Sequence, residues 1–129
     1  MPEPIVFISH FRIKEGQLDR FKQLAEQVIE AIRSAKPRTL AHVAYADEAA
    51  MTATFIHVFG DAQAMDMHNE GADQRSSDAY EFIIPAGWEI YGRPSAAAVE
   101  MMTEEARVAG VALRLEPSVL AGFVRLAPG

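Results

Sequence analysis

IVFISHFRIKEGQLDRFKQLAEQVIEAIRSA, residues 5–35, contains one change of period, and that change decides the fold. From Ile5 to Ile13 the chain is rich in β-branched and aromatic residues and begins just after Pro4, which predicts a strand. One face would carry Ile5, Phe7, Ser9, Phe11 and Ile13, the other Val6, Ile8, His10 and Arg12. Both faces are largely apolar, so both should be covered. Lys14-Glu15-Gly16 reads as a turn. From Gln17 to about Ala35 the period becomes helical: Leu18, Phe21, Leu24, Ala25, Val28, Ile29 and Ile32 fall within an arc of about 140°. Charged and amide side chains from Asp19 to Arg33 fill the opposite side, and Pro37 stops the helix.

Working outward, Arg38–Ala46 and Ala50–Phe59 read as two strands joined by a short turn at Asp47-Glu48-Ala49, a hairpin. Asp61 is placed to cap a helix carrying Ala62, Met65 and His68, which Asn69-Glu70-Gly71 should end or bend. Ser76 or Ser77 is expected to cap a further short helix, with Tyr80, Phe82 and Ile83 as its apolar contacts. Pro85-Ala86-Gly87 reads as a break before a fourth strand, Trp88–Tyr91. In the tail, Ser95 caps a helix to about Ala109 whose buried face is Val99, Met102, Ala106 and Ala109, with Gly110 closing it. Short strands are expected at Val111–Leu115 and Gly122–Leu126.

The order is β-α-β-β-α-β, then α-β-β. The first six elements make the ferredoxin-like split β-α-β pattern, an α+β fold with an antiparallel sheet. At 129 residues the chain is read as one domain, with a core over 4–92 and a C-terminal α-β-β extension over 93–129. Such a sheet has helices on one face. A bare apolar second face would be an aggregation hazard, so two copies are expected to stack their sheets as a homodimer. The alternative is that the tail folds back over the sheet.

Half the residues are hydrophobic and the net charge is −6, with no basic stripe to suit a nucleic acid. The absence of cysteine removes disulfides, thiolate metal sites and cysteine nucleophiles together. No leader-like segment opens the chain, and no run reaches the roughly 18–20 apolar residues of a membrane helix. The expected setting is the cytoplasm, with neither nucleic acid nor membrane as partner.

Four histidines, His10, His42, His57 and His68, are the side chains best suited to proton transfer near neutral pH. Three lie on expected strands and could converge. Pairing residue 42 with 54 would put His42 and His57 on opposite faces, and pairing 42 with 55 would put them on one. Each histidine can equally be a hydrogen-bonded structural residue. No HxH, HxxxH or HExxH spacing occurs, so no metal is expected. Trp88 and Tyr91 are aromatic residues with polar handles, of opposite strand parity, so they face opposite sides. Arg12 could hold an anionic ligand bidentately. Neither a glycine-rich phosphate loop nor a GxSxG elbow is present.

FISHFRIKEGQLDRFKQLAEQV resembles the first strand, turn and helix of antibiotic biosynthesis monooxygenase-like proteins, and FIHVFGDAQAMDMHNEG resembles their third strand and following helix. The resemblance covers residues 4 to about 92 and implies a dimeric α/β barrel with a pocket between each helix layer and its sheet. It implies a cofactor-independent monooxygenase acting on a planar phenolic or quinol-like small molecule, which the protein binds, deprotonates and shields from water. Asn69, the only asparagine, would orient a substrate oxygen, and His68 or His10 would be the base. Arg12, His42, His57, Trp88 and Tyr91 complete the expected substrate contacts. No tryptophan accompanies Asn69 as it does in the best-understood oxygenases, since Trp88 is far along the chain. Two other readings follow from the fold: a non-catalytic small-molecule-binding or stress-response barrel, and a haem-binding or haem-degrading protein.

Overall fold

The computed structural model describes residues 3–125. The chain folds as β1 (Ile5–Ile13), α1 (Leu18–Ala35), β2 (Thr39–Asp47), β3 (Thr52–Phe59), α2 (Ala62–Asn69), α3 (Ala72–Ala79), β4 (Ile83–Tyr91), α4 (Ala96–Ala109) and β5 (Leu113–Glu116). The sheet order is β2-β3-β1-β4-β5. Its first four strands are antiparallel neighbours, as the split pattern requires, and β5 adds a parallel edge strand to β4.

Strand alternation divides the sheet into two unlike faces. Ile5, Phe7, Ser9 and Ile13 of β1, Ala53, His57 and Phe59 of β3, and Trp88 and Ile90 of β4 are buried beneath the helices. One cluster joins Ile5, Phe59, Trp88 and Ile90 to Met65 of α2 and to Ala98, Met102 and Ala106 of α4. A second gathers Ile13, Phe21, Ala53 and Ile83 under α1. The tail helix therefore shares the main core, on the same side as the other helices. Among the described residues nothing folds over the opposite face. Val43 and Tyr45 of β2 and Ile84 of β4 stay 43%, 57% and 40% exposed there.

The structure differs from the sequence reading at four places. His42 pairs directly with His57, neither register considered, but of the parity that puts both on one face. The strand β4 begins at Ile83 and runs through Pro85, because the register against β1 shifts between His10 and Phe11 and a bulge absorbs the proline and Ala86. Ser76 and Ser77 lie inside α3, which starts after Gly71 in the left-handed conformation, so neither serine caps it. In the tail, Ala109 ends α4 exposed, and Gly122–Arg125 forms no strand, while Leu126 lies outside the described residues. The α4 caps match the reading: Ser95 Oγ accepts from Ala98 N at 3.1 Å and Gly110 is left-handed.

Gly92 marks the seam between core and extension. Its φ is +104°, and a Cβ there would come 2.8 Å from the Pro4 carbonyl oxygen. Its N–H donates to Glu116 O at 2.9 Å, tying the end of β4 to the end of β5.

Candidate functional site

A cavity of about 140 Å³ lies between the helix-facing side of the sheet and helices α1, α3 and α4. Phe7, Phe11, Phe55 and Trp88 form its floor, Phe21, Leu24 and Val28 of α1 one wall, and Tyr80, Met101 and Met102 the others. That space is close to the engineered apolar cavity of about 150 Å³ that takes benzene, so it suits one ring. A porphyrin, with four pyrroles, exceeds that volume.

The polar end of this apolar cavity holds His42, His57, His68 and Asn69, with Arg75 beside them. Three elements bring the imidazoles together. The β2–β3 register stacks His42 on His57 with ring centroids 4.3 Å apart, and the last turn of α2 sets His68 edge-on to both, at 5.4 and 5.2 Å. One nitrogen from each ring lies within 4.8 Å of the other two. The α2 turn is fixed at its start by Asp61, which accepts from Ala64 N at 2.8 Å and whose two carboxylate oxygens both accept from Arg38 Nη2, at 2.9 and 2.8 Å. At its end, Arg75 donates to the carbonyls of His68 and Glu70 at 2.6 and 3.0 Å.

A hydrogen bond fixes the tautomer of one member of this trio. His57 Nδ1 donates to Phe7 O at 3.0 Å; a carbonyl only accepts, so in the neutral ring Nε2 carries the lone pair. His68 Nδ1 is 2.8 Å from Thr39 Oγ1, which leaves its Nε2 to the cavity. His42 Nδ1 is buried with no hydrogen-bond partner among the described residues. Burial, reinforced by the Arg75 guanidinium, lowers His42 to about 4. Burial, then His42, Arg75 and Lys36, lowers His68 to about 3. Burial and the neighbouring imidazoles hold His57 well below the usual histidine range. All three are neutral at neutral pH, so the site presents lone pairs rather than positive imidazoles. The trio is a set of nitrogen donors that could also hold a metal ion.

Of the residues singled out in the sequence, the cavity gathers His42, His57, His68, Asn69 and Trp88. His10, Arg12 and Tyr91 lie on the open face instead. There His10 Nε2 donates to Glu89 at 2.5 Å, His10 Nδ1 is 3.3 Å from Thr54 Oγ1, and Tyr91 donates to the same carboxylate. Arg75 and Tyr80 were missed; they sit in a polar stretch whose helix phase was misread, and a correct α3 start at Gly71 would have turned Arg75 toward His68.

An α+β sheet with helices on one face and a histidine-ended cavity between the layers defines the class. The particular fold is that of the antibiotic biosynthesis monooxygenase-like proteins. MupZ from Pseudomonas fluorescens superposes over 98% of this chain and 99% of its own, at 14% identity and a TM-score of 0.73. SnoaB, a cofactor-independent oxygenase from Streptomyces nogalater, superposes over 73% of this chain and 96% of its own, at 12% identity and a TM-score of 0.59. Rv0793 from Mycobacterium tuberculosis covers 74% and 99%, at 14% identity and a TM-score of 0.60. SnoaB and Rv0793 match about as much of this chain as its core comprises, whereas the match to MupZ includes the extension. No protein-family model and no curated protein matches the sequence.

Proposed function

We propose that this protein is a cofactor-independent monooxygenase of a single-ring phenolic or quinol-like molecule, bound in the cavity beneath α1, α3 and α4. The observation that carries this reading is the neutral imidazole trio with Asn69 at the polar end of an apolar, ring-sized cavity. The ring would lie against Phe7, Phe11 and Trp88, with its hydroxyl toward His68 and Asn69. A neutral imidazole can accept the hydroxyl proton. The desolvation that keeps the empty trio unprotonated is offset when phenolate forms beside the imidazolium and near Arg75. The electron-rich ring then gives all four electrons to dioxygen: one oxygen atom is bonded to a ring carbon in place of its hydrogen, the ring ends at the quinone level, and the other oxygen leaves as water with the two hydrogens the substrate has lost. His10, on the far face of the sheet, is not the base in this scheme. The fold of SnoaB, whose own chemistry needs no cofactor, supports the same direction.

The apolar open face supports a homodimer in which two sheets stack across Val43, Tyr45, Ile56 and Ile84, with the His10–Glu89–Tyr91 network between them. The test of the catalytic reading is oxygen uptake by the metal-free chain against a panel of single-ring phenols and quinols. His68→Ala should lower kcat/KM by roughly 100-fold or more, the usual yield of a positioned base, and Asn69→Ala should lower it through lost orientation of the substrate oxygen, neither lowering the melting temperature by more than a few degrees. Turnover that survives both substitutions would place the chemistry elsewhere. Saturable ligand binding with no oxygen uptake across the panel would favour a binding barrel without catalysis.

A further inference from the structure

We infer that His42, His57 and His68 form a binding site for one divalent first-row transition-metal ion, with a coordination position open to the cavity. Three neutral imidazoles from β2, β3 and the end of α2, each offering one nitrogen within 4.8 Å of the others, are the donor set of a three-histidine centre. The ring spacing comes close to that of such a centre. Imidazoles bound at about 2.0–2.1 Å to a tetrahedral ion have centroids about 5.2 Å apart, and about 4.5 Å apart at a right angle. The observed separations are 5.4, 5.2 and 4.3 Å. Drawing the nitrogens onto a single ion therefore takes side-chain rotation, chiefly of His42 away from its stacked neighbour.

Second contacts of the kind that orient metal-bound histidines are already in place. The Phe7 carbonyl fixes His57 with Nε2 as donor, and Thr39 Oγ1 lies against the far nitrogen of His68. His42 Nδ1, buried and without a hydrogen-bond partner among the described residues, is a nitrogen free to turn to an ion. With imidazole as the sole ligand type, the site suits zinc, copper, nickel or iron rather than magnesium or calcium, which need oxygen. Arg75 beside the trio weakens attraction for a cation. The same guanidinium favours an anion, such as hydroxide or a phenolate, at the open position.

This inference does not rest on the oxygenase reading and constrains it, because an ion on all three rings leaves no lone pair for a substrate proton. Two measurements keep the readings apart. Untagged, chelator-treated protein is titrated with Co(II) while the visible d–d bands are followed, and with Zn(II) by calorimetry. One ion per chain is expected, with the intense absorption of a four-coordinate Co(II) centre. His42→Ala and His68→Ala should each weaken binding by more than the 10- to 100-fold typical of losing an outer contact, Thr39→Val should weaken it by about 10-fold, and His10→Ala should leave it unchanged. His42 is the more exposed ring, so its variant keeps the test open if a His57 variant fails to fold. Binding that is absent, or that persists in both alanine variants, overturns the site. Oxygen uptake by the metal-free chain bears only on the oxygenase.

Discussion

Arg75 shows how one side chain can set a site's chemistry without being legible in the sequence. Its guanidinium helps hold His42 and His68 below the usual histidine range, second to burial for His42 and after burial and His42 for His68. Arg75→Met should therefore raise the pKa of both imidazoles, read as an upward shift of their titration in the proton NMR spectrum of the metal-free protein. No movement would mean that burial and the other neighbouring groups set them without Arg75. The histidines themselves were legible as residue types, but their grouping was not. They come from three elements and are 15 and 11 positions apart in the chain, so a search for local ligand spacing could not see them. The register, which turn chemistry left open, decided it: His42 lies directly across from His57.

At the scale of elements, the strongly periodic segments were readable and the weakly periodic ones were not. The helix α1 follows its sequence pattern within one residue at its start, and its Phe21 is 4% exposed in the second core cluster. Phe21→Asp should cost at least about 3 kcal/mol, the size of a large aromatic deletion before any charge is buried. Against a typical total of about 5–15 kcal/mol, that predicts loss of a cooperative melt or a severe drop in melting temperature; a normal thermal transition would contradict the packing described. The segment from Ala72 to Pro85 was misread because its polar helix has no apolar stripe, and because the bulge that admits a proline into β4 depends on the neighbouring strand. At the seam, Gly92→Ala should lower stability by more than about 1 kcal/mol, because its φ is positive and its Cβ has no room. The added methyl would meet the Pro4 carbonyl, which cannot rotate away. Chemical denaturation checks this, and a neutral change would mean that the first strand shifts to make room.

For the whole molecule, the split β-α-β order follows from pattern alone, and so does the expectation that both sheet faces need cover. Ile56→Lys places a charge on the open face without touching the helix-side core. If two sheets stack there, sedimentation should show the wild type as a dimer at micromolar concentration and this variant as a folded monomer. A wild-type monomer would remove the stacked-sheet assembly. The buried histidines also make metal-free stability depend on pH. Between the unfolded histidine value of about 6.5 and the folded values of about 4 for His42 and about 3 for His68, the unfolded chain binds protons that the native chain refuses. Stability should thus be full above about pH 6.5 and fall as the pH drops toward 4. Denaturant midpoints across that range measure the slope, and replacing His42 by Gln should flatten it.

The extension reaches this balance from another direction. Met101, Met102 and Glu105 of α4 line the cavity, yet the strand that follows them pairs with the sheet over only four residues, Leu113–Glu116. An element so lightly stitched opens more readily than the four-strand body beside it. Whatever occupies the cavity against a closed α4 binds that form alone, and by mass action it steadies the extension as much as the site. Occupancy would then be written into the backbone of an element that carries no histidine, as slowed amide exchange along α4.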